Sequence, residues 1–453
     1  MMCDLVQKYN VPGPRYTSYP TVPYWDLNTF SGELWKSTVV KAFQESEEEG
    51  ISLYIHLPFC ESLCTFCGCH KRITKRHELE QPYIVSVLKE WRLYCDLFES
   101  RPTIKELHLG GGTPTFFSPE HLKMLIEGIL ELADMDKNPE FSFEGHPNNT
   151  TKAHLRALYD VGFRRVCFGV QDYNETVQKA INRIQPFEHV EQVTQWAREI
   201  GYTSVGHDII YGLPFQTSSD VENTLLKTNA LRPDRIAFYS YAHVPWIKGN
   251  GQRGYNEDDL PSSTEKKTQY EMGKKMLAEF GYKDVGMDHF ALPTDNLYHA
   301  LVDGSLHRNF MGYTPSKTKL MIGLGVSSIG DSWYGFAQNV KSLDEYEHLV
   351  NSGVIPIFRG HILTQEDQIL RKHILNIMCQ FETHWGKNEI ESVDFDRIIE
   401  NLTEMQSDGL VEIGADYIKV TSKGRPFVRN ISMAFDLKLY RKKPETRIFS
   451  MTV

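Results

Sequence analysis

Four cysteines fall within one short run: Cys60, Cys64, Cys67 and Cys69. The first three are spaced C-x3-C-x2-C. Thiolates this close in a chain force a tight loop that wraps a common centre. Three thiolates on such a loop fit a [4Fe–4S] cluster, with Cys60, Cys64 and Cys67 as its metal ligands. Most clusters take four protein thiolates. Three leave one iron open, where a small molecule can be held and reduced. Structural zinc uses two well-separated cysteine pairs. Here only Gly68 separates Cys67 from Cys69, and Cys95, Cys167 and Cys379 are scattered. A disulfide framework belongs to small secreted chains, and this chain has 453 residues.

That length allows about three domains, or one barrel with a smaller partner. Hydrophobic residues at 41% and charged residues at 24% describe a globular protein with a large core. The net charge of −10 argues against a nucleic-acid binder. It leaves room for an anionic substrate, because a local arginine pocket can oppose the global sign. The first ten residues, Met1 to Asn10, contain no apolar signal core. No run of about 18 apolar residues occurs, so no membrane span is expected. Cysteine usage implies a reducing, oxygen-poor cytoplasm.

From residue 51 a strand-then-helix rhythm begins. Short β-branched or aromatic runs recur at Ile51–Leu57, Ile104–Leu109, Phe141–Glu144, Arg165–Val170, Ser204–Tyr211 and Arg235–Tyr241. Amphipathic stretches lie between them. Ile84, Val87, Leu88, Trp91, Cys95 and Phe98 recur at helix-face spacing, which makes Cys95 a core residue. Ser118 and Pro119 read as the N-cap and first position of another helix. This alternation predicts an α/β fold with a parallel sheet and helices outside it. Six strands predict a partial (β/α)6 barrel, with functional loops after the strand C-termini. The unusual residues fall there. After Leu260 the rhythm loosens. From about Thr364 the chain reads as mostly helical, ending in a hairpin over Gly409–Val420.

The Gly110-Gly-Gly-Thr-Pro114 loop lets backbone approach a ligand closely and offers unhindered N–H groups. Glu144 is an acid at a strand end. Asp208 sits among apolar neighbours and needs a partner; Arg183 or a ribose hydroxyl would serve. His56, His207 and His243 read as structural histidines.

The cysteine loop, with Phe66 before its third cysteine, resembles the signature of the radical S-adenosylmethionine (SAM) enzymes. The whole chain resembles the oxygen-independent coproporphyrinogen III dehydrogenases. The specific runs are Lys8 to Pro20 and Leu306-His-Arg-Asn-Phe310. Further matches are Gly110–Thr115, Gly169–Tyr173, Asp208–Pro214, Tyr241-Ala-His-Val-Pro-Trp246, Gly286–Phe290, Gly323–Ser327 and Arg429–Met433. The resemblance implies a radical SAM partial barrel with an N-terminal segment and a mostly helical C-terminal domain. The expected divisions are 1–40, 41–345 and 346–453.

It also implies two SAM molecules. Tyr54, Gly111, Glu144 and Ile329 would contact the SAM on the cluster. Phe66, Gly112, Thr113, Gln171, Arg183, Asp208 and Ala242 would contact the second. Cys69 would stay unligated. Where the family has Glu-x-Asp-Pro, this chain has Glu144-Gly-His-Pro147, which places His146 at the acid's position. The implied reaction is oxidative decarboxylation of two propionates of coproporphyrinogen III to vinyl groups. The implied partners are the tetrapyrrole substrate and a flavodoxin- or ferredoxin-type electron donor, with the chain a monomer. Arg15 and Arg308 are the expected carboxylate contacts. Tyr9–Pro20 is expected to cover the barrel mouth, offering Tyr9, Tyr16 and Tyr19 to the macrocycle. Two rivals stay open: a methyltransferase or ring-opening relative, which usually lacks the Tyr9–Pro20 run, and a haem chaperone, whose His-Asn-x-x-Tyr-Trp run is absent here.

Overall fold

A computed structural model describes residues 2–46, 48–245, 251–446 and 448–452, without the side chains of residues 2–4. Its centre is built from six strands: β1 (Ile51–Leu57), β2 (Thr103–Gly111), β3 (Asp134–Gly145), β4 (Arg165–Gln171), β5 (Ser204–Tyr211) and β6 (Arg235–Ser240). Each pairs in parallel with the next. Leu53 and Ile55 of β1, Leu107 and Leu109 of β2 and Phe143 of β3 point outward into the main core. The opposite faces carry Tyr54, His56, His108, Glu144, Cys167 and Asp208, which look into the lumen. Strand side chains alternate between faces, so each strand supplies a core wall and a lumen wall together.

Helices Glu80–Cys95, Pro119–Leu130, Lys152–Asp160, Phe187–Ile200 and Ser218–Leu231 cover the outside. Their starts are capped from the sequence. Ser118 accepts from His121 N at 3.2 Å, with Pro119 at the first helical position. Thr151 and Thr217 make capping boxes. Cys95 packs against the main core, as its helix-face position predicts.

The sheet extends beyond the six strands. The segments β7 (Lys283–Gly286), β8 (His289–Ala291), β9 (Met321–Leu324), β10 (Ile329–Asp331), β11 (Gly335–Asn339) and β12 (Ile357–Ile362) bring it to twelve. The order is β12-β11-β10-β9-β1-β2-β3-β4-β5-β6-β8-β7. β9 runs parallel to β1, while β8 and β10 turn antiparallel. These added strands are short, so no period-2 pattern is long enough to read in the sequence.

The C-terminal part packs helices Gln365–Gln380 and Phe395–Ser407 around a three-stranded sheet. Val411–Ile413 and Tyr417–Val420 form the expected antiparallel hairpin. The N-terminal segment is bound into this part. Arg429 donates to the carbonyls of Gly13 and Pro14, and Tyr9 OH donates to Asp408 at 2.6 Å. Tyr9, Tyr16 and Tyr19 join the C-terminal core and are 7%, 2% and 1% exposed. That corrects one expectation. These tyrosines are packed away and cannot offer their faces to a macrocycle.

Candidate active site

The cysteine loop leaves the end of β1 and is pinned at both shoulders. On the inner side, Phe59–Cys60 pairs with Arg72–Ile73. On the outer side, Thr65 N donates to Ile181 O at 2.9 Å, and Asn182 Nδ2 donates to Leu63 O at 2.7 Å. Gly251 N donates to Cys67 O at 3.1 Å, and Tyr255 OH to Thr65 O at 2.8 Å. The thiols meet donors. Thr113 Oγ1 lies 3.3 Å from Cys60 Sγ and Arg183 Nη1 lies 3.6 Å from Cys64 Sγ. Burial pushes the Cys60 thiol up to about 11. A hydrogen bond between the Cys67 and Cys69 thiols holds Cys67 below the usual thiol range and Cys69 above it.

The glycine loop after β2 serves the cysteine loop more than it serves open space. Gly112 N donates to Leu57 O at 2.8 Å and Thr113 N to Phe59 O at 2.9 Å. A Cβ on Gly112 would stand 2.6 Å from Pro58 O. Gly111 has φ of +111°, and a Cβ there would meet the His56 ring at 2.8 Å. The N–H groups expected to be open at positions 112 and 113 are therefore occupied by protein carbonyls.

Tyr54 OH lies 3.0 Å from His56 Nδ1, and His56 Nε2 lies 3.0 Å from His70 O. The carbonyl can only accept, so Nε2 carries the proton and Nδ1 accepts from the tyrosine. Burial lowers the His56 imidazole to about 4, which keeps it neutral. Glu144 ends β3 half-exposed, with His108 Nε2 3.6 Å away. Asp208 accepts from Cys167 Sγ at 3.2 Å. Burial, then repulsion from Glu144, pushes its carboxyl up to about 7.

Arg183 does not make the expected direct pair with Asp208. Its Nη2 donates to Gly169 O at 2.6 Å, its Nη1 faces Cys64, and its buried Nε has no partner. Its charge still opposes the rise at Asp208. Gln171 sits beside Arg183 with φ of +67°. Asp172, one residue on, is consumed structurally by Gln216 Nε2, Thr224 Oγ1 and Asn174 N. Phe66 and Ala242 are tied together by Gln252 Nε2, which donates to both carbonyls at 3.3 and 2.8 Å. Ile329 opens β10, against the backbone of Gly323 in β9. Trp246 lies outside the described residues. His146, at the position of the family's acid, is held neutral by burial and by the Arg183 charge.

Residues 54–227 match the radical SAM superfamily. The oxygen-independent coproporphyrinogen III oxidase of Helicobacter pylori (strain ATCC 700392 / 26695) is 40% identical over 95% of each chain. That of Synechocystis sp. (strain PCC 6803) is 37% identical over 99% of this chain and 97% of its own. The solved coproporphyrinogen III oxidase of Escherichia coli, described as a radical SAM enzyme, superposes with a TM-score of 0.89. It is 35% identical and covers 96% of this chain and 99% of its own.

The chain belongs to the oxygen-independent coproporphyrinogen III oxidase family.

For a member of this family the donor set fits a [4Fe–4S] cluster. The three thiols lie on one pinned loop, beside Thr113 and Arg183, whose dipole and charge favour thiolate. Among the described residues, no three His, Cys, Asp or Glu side chains are placed to hold a single metal ion. A four-iron cluster is a larger body and spreads its ligands. Cysteine spacing located this loop from sequence. The His56–His70 O bond and the His108–Glu144 contact were not legible, because one joins a strand to a loop carbonyl and the other joins two strands.

Arg15 and Arg308, the expected carboxylate contacts, meet each other. Arg308 Nε and Nη2 donate to Arg15 O at 3.3 and 3.2 Å. The Arg15 guanidinium pairs with Asp288 and lies 5.6 Å over the Tyr239 ring. Arg308 itself is buried, with its guanidinium 4.5 Å over the Tyr313 ring. Only Arg15 of the two reaches a cavity beside the barrel mouth.

Proposed function

We propose that Cys60, Cys64 and Cys67 hold the cluster of an oxygen-independent coproporphyrinogen III oxidase, and that Cys69 stays unligated. The enzyme converts two propionates of coproporphyrinogen III to vinyl groups, giving protoporphyrinogen IX and CO2. The observation that carries the cluster assignment is the three-thiol loop at the C-terminal end of β1, with Thr113 and Arg183 set against two of its thiols.

When bound, the [4Fe–4S] cluster and SAM supply a 5′-deoxyadenosyl radical, which takes a hydrogen atom from the propionate β-carbon. That carbon has no acidic hydrogen, so a protein base could not start the reaction. The substrate radical would then lose CO2 and pass one electron to an acceptor outside the chain, leaving the side chain as a vinyl group. The protein binds, orients and excludes water.

Tyr54, Gly111, Glu144 and Ile329 are assigned to the SAM on the cluster. The neutral His56 supports this: its Nδ1 accepts the Tyr54 O–H hydrogen bond, which leaves the phenol oxygen's lone pairs as an acceptor. Phe66, Gly112, Thr113, Gln171, Arg183, Asp208 and Ala242 are assigned to a second SAM. The unpartnered Arg183 Nε and the raised Asp208 carboxyl, which accepts from the weak Cys167 thiol donor, support it. The main-chain bonds at Gly112 and Thr113 leave those two to act by shape. The electron donor is of the flavodoxin or ferredoxin class, and the chain acts as a cytoplasmic monomer. All seven described cysteines are free, which suits a reducing compartment. Among the described residues no helix is long and apolar enough to cross a membrane.

Anaerobic turnover with coproporphyrinogen III, SAM and a reductant tests the function. The expected product has lost, by mass, one CO2 and two hydrogens from each of two propionates. An unchanged or methylated tetrapyrrole would overturn it.

A further inference from the structure

Between the ends of β5 and β6, the N-terminal segment and the C-terminal part lies a cavity of about 450 Å3. Ligand pockets run from roughly 300 to 1,000 Å3. Its lining reverses the sign of the whole chain. Arg15, Lys266, Lys267, Lys274, Arg425 and Arg429 supply six cations, against Glu257, Asp284 and Asp288. The net charge of the chain is −10. Three separate parts of the sequence contribute, so the excess of cations is a property of the assembled cavity.

The cations are not equivalent. Asp288 is neutralised by Arg15, and Asp284 by Lys274 at 2.6 Å. Arg429 is spent on main-chain carbonyls of the N-terminal segment and the C-terminus. Lys267 lies 3.6 Å from Glu271. Arg425 differs. Its guanidinium lies 4.3 Å over the Phe381 ring, and among the described residues it has no carboxylate partner. A guanidinium held over an aromatic ring still has N–H donors with which to take a carboxylate bidentately. The cavity also touches Tyr211, Ser240 and Ala242, at the C-terminal ends of β5 and β6 where the chemistry is placed.

We propose that this cavity docks the tetrapyrrole, with Arg425 binding a propionate carboxylate that is not being decarboxylated and Arg15 a second contact nearer the barrel. The assignment rests on the function given above. It makes Arg425 an anchor: it holds a carboxylate that the reaction retains, and so sets which propionates face the barrel.

The test uses the full chain without its cluster and coproporphyrin III, the air-stable macrocycle with the same four propionates. Binding is read by fluorescence. Arg425→Gln should weaken it about tenfold, and Arg425→Glu further, as expected for one charge-assisted bidentate pair. Lys267→Gln, on a different element, should weaken it about threefold by loss of a nearby charge. Lys423→Gln, two residues from Arg425 but bonded outward to Asp408 O at 2.7 Å, should change nothing. Arg425 is exposed, so its variants should melt with the wild type. In the reconstituted enzyme Arg425→Gln should raise KM for coproporphyrinogen III and leave kcat nearly unchanged. Unchanged affinity in both Arg425 variants would overturn the proposal, as would displacement of coproporphyrin III by SAM. A wild type that turns over coproporphyrinogen III alongside such variants loses only this cavity assignment. A wild type without turnover loses the function.

Discussion

The two sides of the barrel mouth are built on opposite plans. The side of β1 and β2 is local and short-range. Cys60 to Cys69 and Gly110 to Thr113 meet through main-chain hydrogen bonds, and a single added Cβ at Gly112 would collide with Pro58. The side of β5 and β6 is long-range and ionic. Arg15 meets Asp288 and Arg308, and Arg425 and Arg429 arrive from the far end of the chain. A compact cofactor of fixed shape needs rigid backbone and little charge. A large anion with several carboxylates needs spaced cations, whose separation only tertiary packing can set. Changes on the first side should therefore act as all-or-none effects, and changes on the second as graded ones.

The largest effect is expected at the cysteines. Serine at position 60, 64 or 67 should abolish iron incorporation on anaerobic reconstitution, while Cys69→Ser should keep it. Full iron in any of the first three would remove the contrast at its root. Asp208→Asn comes next. It should lower turnover roughly a hundredfold, as for loss of a buried charged contact, yet preserve the SAM-induced change in the cluster's spectrum. Loss of that spectral change would move Asp208 to the first SAM. Because its carboxyl stands near 7 without ligand, second-SAM binding to wild type should strengthen as pH rises through 7. The Asn variant should lack that dependence.

Arg15→Gln should act more mildly, raising KM about tenfold with iron content unchanged. Deletion of residues 1–20 would be a cruder test of the same segment. The deletion would also strip Tyr9, Tyr16 and Tyr19 from the C-terminal core and so confound covering with folding. A normal KM in Arg15→Gln would leave the segment as packing.

The smallest effect on turnover lies behind the first side. Glu90 is buried and accepts from Gly325 N, Tyr346 OH and Asn339 Nδ2. Burial still pushes its carboxyl up to about 7. The folded state therefore keeps a proton that the unfolded chain releases near the ordinary value of 4.5. Unfolding free energy should fall, by on the order of a few kcal/mol, as pH rises through that window. Denaturation of Glu90→Gln across the same range should show a flatter slope. An equal slope would assign the dependence to Asp172 or Asp436, whose carboxyls burial also raises, each to about 6.

Much of this architecture could be read in the chain. The six central strands stand at the predicted runs, except that β3 starts at Asp134, before its run, and each run supplies the alternate apolar side chains of the core wall. The strands between Lys283 and Ile362 were not legible. Three to six residues carry too little pattern, and their pairing is set by distant neighbours. Among the site residues, the three thiols announced themselves by spacing. The Arg183–Asp208 pair did not form as expected, since Arg183 found Gly169 O first.

The sequence by itself determined the cofactor loop, the strand rhythm and the family, because spacing within a short segment survives any fold. Tertiary structure alone decided that the N-terminal tyrosines are buried while Arg15 turns to the cavity. It alone brought Arg425, from the far end of the chain, to face the same space. Burial and the cancelling of charge depend on what stands opposite in three dimensions, and sequence distance carries no record of that.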